Sequence, residues 1–145
     1  MFRGVSMSEA AFIKVTPFSK KEEISYDDVK EIIQYYQEIT QKTGEQLNWD
    51  YDQKAFPYKL IEIKTSEGTY LHLKSHEDPH YHSILIDIPN SPGDTPSSIL
   101  RITLPSSSTS ADKGKANELS KFIAKKWEAE LKLFNNRVMS FYKRK

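Results

Sequence analysis

The chain has 145 residues, 37% hydrophobic and 28% charged, with a formal net charge of +1 and no cysteine. That is the size and composition of one globular domain around one core, not of a disordered chain. It excludes disulfides, thiolate metal centres, cysteine nucleophiles and, for want of a long apolar run, a membrane-spanning helix.

Charge is unevenly placed. Glu22 to Asp52 carries nine acidic and two basic residues, and Lys113 to Lys145 carries ten basic and three acidic. The two segments should attract one another or give the surface two electrical poles.

Met1 to Met7 has one arginine and no apolar stretch, so it does not read as a secretory signal. Residues 1–6 are expected to be a tail or an over-extended start, and 7–145 a single domain. Ala11 to Thr16 reads as a strand, with Ala11, Ile13 and Val15 on one face. A helix follows. Ser25 is its N-cap, Asp28 completes a capping box, and Ile24 with Val29 forms a hydrophobic staple. Val29, Ile32, Ile33, Tyr36 and Ile39 make its buried stripe, and Gly44 is its expected stop. Glu45 to Pro57, with Trp49, Tyr51 and Phe56, is expected to be a connection packed on the body of the domain.

Strands are expected over Tyr58–Thr65 (Ile61 and Ile63 inward), Thr69–Ser75 (Leu71 and Leu73 inward), Tyr81–Ile88 (Ile84, Ile86 and Ile88 inward) and Ser98–Leu104 (Leu100, Ile102 and Leu104 inward). Short turns between them favour antiparallel pairing. A second helix starts near Ala111 or Asp112 and runs to about Trp127, burying Ala116, Leu119, Ile123 and Trp127. Leu131 to Tyr142 reads as a hairpin rather than more helix, because Asn135-Asn136 suits a two-residue turn at positive φ. The predicted fold is α+β: an antiparallel sheet of about five strands with two helices on one face, in the order β-α-β-β-β-β-α, then a C-terminal hairpin.

Few residues offer chemistry. His72, His76, His80 and His82 cluster within eleven residues. Imidazoles hold transition metals, which makes His72, His80 and His82 a candidate metal site. Strand parity opposes convergence, since His82 shares the face of Ile84 whereas His72 lies opposite Leu71 and Leu73. The plain alternative is a polar hairpin tip. Ser106 to Ser110, followed by Asp112-Lys113-Gly114-Lys115, offers a helix start to phosphate, without a P-loop or dinucleotide-binding glycine pattern. Lys121, Lys125, Lys126 and Arg137, near Phe134, Phe141 and Tyr142, form a candidate nucleic-acid surface, against which the near-neutral total charge argues. Asp87 is an acid in an apolar strand, read as outward-facing. No nucleophile elbow and no His-Glu-x-x-His helix is present. With both helices on one face, the other sheet face would present Phe12, Lys14, Tyr58, Tyr70, His72, Leu85, Ile99 and Arg101, an apolar set that must be covered or bind a partner.

Lys42-Thr43-Gly44-Glu45-Gln46-Leu47, Ala55-Phe56-Pro57-Tyr58, and Leu133-Phe134-Asn135-Asn136-Arg137-Val138-Met139 with Phe141-Tyr142-Lys143 resemble a family of small uncharacterised proteins from spore-forming Gram-positive bacteria, a domain of unknown function. The resemblance spans about Met7 to Lys145. It implies bacterial origin and a cytosolic location, and brings no catalytic residue, cofactor or substrate. The expectation is a non-catalytic cytoplasmic binding domain without a cofactor or a membrane partner. It would act through Phe12, Tyr58, Tyr70, Leu85, Ile99 and Arg101 on a second copy of the chain or another protein. The alternatives are a metal-dependent enzyme or metal-binding protein at the histidine hairpin, and nucleic-acid binding by the basic C-terminal region.

Overall fold

The computed structural model describes residues 9–17, 19–47, 58–66, 68–75, 80–89 and 97–141. They form β1 (Glu9–Lys14), α1 (Tyr26–Leu47), β2 (Tyr58–Thr65), β3 (Gly68–Ser75), β4 (Ser83–Asp87), β5 (Ile99–Leu104), α2 (Ser110–Trp127), β6 (Glu130–Lys132) and β7 (Val138–Ser140). All seven strands join one antiparallel sheet in the order β2-β3-β4-β5-β1-β6-β7. The α+β class, the two helices and the antiparallel pairing agree with the sequence reading. The sheet is larger, because the hairpin β6–β7 continues it instead of standing apart.

Both helices lie on one face, since their buried residues and the inward residues of the strands form one core cluster. Ile13, Leu71, Leu73, Ile84, Ile86, Leu100, Ile102 and Leu131 meet Val29, Ile33 and Tyr36 of α1 and Ala116, Leu119, Ile123 and Trp127 of α2. The start of α1 follows the local signals. Ser25 N–H donates to Asp28 Oδ2 at 3.0 Å, Asp28 N–H donates to Ser25 Oγ at 3.2 Å, and Ile24 and Val29 are fully buried. Gly44 does not end the helix, which runs to Leu47. A glycine inside a helix costs only about 1 kcal/mol, and Glu45, Gln46 and Leu47 after it are good helix formers. The expected aromatic connection, 48–57, lies outside the described residues, as do 1–8.

One strand is turned over relative to expectation. Pairing of Leu60 with Leu73 and of Glu62 with Leu71 puts the even-numbered residues of β2 on the helix side. Tyr58 is therefore 1% exposed in the core, not on the open face, and Ile61 and Ile63 take the outward positions. Hydrophobicity alone favoured the isoleucines. The tyrosine wins because its hydroxyl has a buried partner, described below.

α2 ends on Glu128 at φ 52°, the left-handed conformation, with its N–H donating to the carbonyls of Ala124 and Lys125. A side chain with a Cβ is strained there and glycine is not. Glu128→Gly should therefore raise stability by up to about 1 kcal/mol, less whatever the 3.6 Å ion pair with Lys20 contributes. Urea denaturation checks the sign. In the hairpin, Asn136 takes φ 68° as foreseen, but the turn holds three residues, closed by Leu133 N–H donating to Arg137 O.

Candidate functional site

The most concentrated polar chemistry is a buried knot at the start of α2. Thr109 caps the helix, accepting from Asp112 N–H at 3.1 Å, and Asp112 returns a bond to Thr109 N–H at 2.9 Å. The same carboxylate, fully buried, accepts from Tyr58 Oη at 2.5 Å, from His82 N–H at 3.0 Å and from Ser83 N–H at 3.3 Å. Ser108 Oγ donates to Ser83 O, and Thr109 Oγ1 to His80 O. One side chain thus ties β2, the β3–β4 connection and α2 together. At the serine-rich helix start, the N–H groups of Thr109 and Asp112 are thus taken from within, by Asp112 Oδ2 and Thr109 Oγ1. The sequence carried half of this signal, the Thr109-x-x-Asp112 capping box. The partnership with Tyr58 left no trace in it.

The described histidines, His72, His80 and His82, form no shared metal site. His72 points to the outer face between Ile61 and Leu85, its neighbours in register. His82 lies at the strand end opposite Ser75, where its carbonyl accepts from Ser75 N–H and its Nδ1 lies 3.0 Å from Ser83 Oγ. His80 is exposed beside Thr109. Among the described residues no three His, Asp or Glu side chains are placed to share a metal ion; His76, Glu77 and Asp78 lie outside them.

His72 Nε2 is enclosed and has no hydrogen-bond partner among the described residues. Burial holds the imidazole below its ordinary value of 6.5, and Lys74 and His82 add repulsion. Between the folded and unfolded values the unfolded chain binds more protons. Stability therefore rises with pH through that window and is lost as pH falls below 6.5 towards the folded value. His72→Leu should remove this slope. Between pH about 7.5 and about 5.5 the urea midpoint of the His72→Leu protein should rise relative to that of the parent; a constant difference would show that His72 does not carry the slope.

The basic C-terminal residues are spread out. Lys121 and Lys125 are exposed on α2, whereas Lys126 leans towards α1, its Nζ 5.4 Å above the Tyr35 ring and 5.9 Å above that of Phe122. Arg137 is exposed in the hairpin turn. Phe134 and Phe141 are packed against the core rather than offered for stacking.

The outer face of the sheet is continuous. Ile61, Ile63, Tyr70, His72, Leu85, Ile99, Arg101 and Phe12 alternate with the core residues and are all half-buried. At its centre Arg101 grips Asp87 with two bonds, Nε to Oδ1 at 2.9 Å and Nη2 to Oδ2 at 2.5 Å, so the acid in the apolar strand is neutralised by a fork geometry. A groove of about 660 Å³ beside this pair reaches Tyr26, Thr65, Thr69 and Tyr70. The Tyr26 hydroxyl there is engaged, donating to Thr69 O and accepting from Ile88 N–H. A second groove, about 370 Å³, runs along α1 past Glu31, Tyr35 and Glu38 over Trp127. Neither joins a nucleophile to a base.

Residues 9–143 match a protein family described as a domain of unknown function, DUF1885. The chain belongs to this family. It is also similar to a crystal structure of a protein of unknown function from Bacillus stearothermophilus, with 38% identity over 81% of this chain and 89% of that one and a TM-score of 0.53. Comparison with curated proteins gives no match. For this DUF1885 chain, no described helix is long and apolar enough to cross a membrane.

Proposed function

We propose that this DUF1885 chain is a non-catalytic binding domain that acts through the outer face of its sheet. The observation that carries the reading is the face itself. Phe12, Ile61, Ile63, Tyr70, Leu85 and Ile99 form an apolar surface across β1 to β5, on the side away from both helices. A contiguous apolar face of this kind is a recurrent mark of an interaction site. The buried carboxylate of Asp112 spends its oxygens on hydrogen bonds within the protein.

A face kept for binding tolerates polar replacement, whereas a core does not. The double substitution Leu85→Ser with Ile99→Ser should change stability by less than about 1 kcal/mol, because neither residue is in the core cluster. Ile86→Ala, one position along β4 and fully buried, should cost about 2–5 kcal/mol. Equal losses in the two proteins, measured by urea denaturation, would make the outer face structural and end this reading.

A further inference from the structure

The outer face also carries charge, and its pattern specifies an occupant. Lys59 and Lys74 face each other directly across β2 and β3, both exposed and neither in an ion pair among the described residues. Like charges placed directly opposite repel. At the far corner of the face, Lys14 and Lys132 are also exposed and without an ion pair among the described residues. With Arg101, the face presents five cations against the carboxylates of Asp87 and Glu130. Lys74 and Lys14 are three strands and six residues of strand apart, roughly 25 Å, with Leu85, Ile99, Tyr70, Phe12 and the Asp87–Arg101 pair between them. A helix is about 10–12 Å across with its side chains. One helix fits between the two lysines, its apolar side chains on Leu85, Tyr70 and Phe12 around the self-neutralised Asp87–Arg101 pair, with room on each flank for a carboxylate to reach a lysine.

Resting on the binding reading above, we propose that the outer face docks an amphipathic helix of a partner protein whose apolar stripe is flanked by Asp and Glu. A second copy of the chain suits the face less well, because two-fold apposition would set the same lysines against themselves. Single-stranded nucleic acid suits it less well too. Tyr70 and Phe12 are three strands apart, about 14 Å, with aliphatic and ion-paired side chains between them, so they make no continuous stacking platform.

The test uses two fluorescent peptides of about 20 residues with the same leucine stripe, one flanked by Glu and one by Lys. Anisotropy titrations with the full chain should show saturable binding of the acidic peptide that weakens with salt. The exposed-lysine variant Lys14→Glu with Lys74→Glu should lose about tenfold or more in that affinity and gain affinity for the basic peptide. Three results overturn the proposal: equal or absent binding of both peptides, an oligothymidylate that binds this face more tightly than the acidic peptide, or a dimer in sedimentation that Leu85→Glu dissociates. Each leaves the binding reading itself to the serine substitutions, so the two failures are told apart.

Discussion

Replacing Asp112 by alanine should lower the unfolding free energy by about 3–5 kcal/mol, because it removes the shared acceptor of several buried donors at once. The carboxylate accepts from Tyr58 Oη, from the N–H groups of His82, Ser83 and Thr109, and is fully buried. Alanine would take the acceptor away from the N–H groups of His82, Ser83 and Thr109, and each buried unpaired donor costs about 1–3 kcal/mol before relaxation. Asparagine keeps the shape but turns an NH2 towards one set of donors, so it should recover only part of the loss. Tyr58→Phe removes one donor and leaves the carboxylate its three backbone partners, so about 1–2 kcal/mol is expected. Urea denaturation of the single and double variants should give a coupling energy well above zero. An Asp112→Ala protein within about 1 kcal/mol of the parent would mean that the knot is replaceable by water.

Leu131→Ala should cost about 2–5 kcal/mol. If the C-terminal hairpin were an appendage, shortening a leucine in a three-residue strand would be almost silent. Leu131 is instead fully buried, pairs with Ile13 on one side and Met139 on the other, and belongs to the same core as Ile102 and Leu119. The exposed Val138, on the same hairpin, is the internal control, and Val138→Ala should fall within about 0.5 kcal/mol of the parent. Comparable effects of the two substitutions in thermal or urea unfolding would contradict the place given to β6 in the sheet.

What could be read from the sequence was whatever depends on neighbours along the chain. Ser25 and Asp28 announced the start of α1, Asn136 announced a positive φ, and the spacing of Leu100, Ile102 and Leu104 gave the inner face of β5. What could not be read depends on partners far away in the sequence. Ile61 and Ile63 looked like the inward pair of β2, and only the bond from Tyr58 to a carboxylate 54 residues later reverses that strand. The outer face of the sheet was foreseen from strand parity, but with Tyr58 on it, which is in the core, and without the two isoleucines. Of its lysines only Lys14 was legible, because Lys74 opposes Lys59 only once the β2–β3 register is fixed.

The place of β1 in the sheet has a consequence for synthesis of the chain. Its two neighbours are β5 and β6, and Ile13 meets Leu131, about 120 residues further on. At ordinary translation rates of about 5–20 residues per second, β1 leaves the ribosome roughly 6–24 s before its last partner exists. The β2–β5 meander can assemble in that interval and β1 can pair with β5, while the opposite edge of β1 waits for β6. Early termination anywhere before β6 would therefore release a fragment with an open sheet edge, prone to pair with other copies of itself.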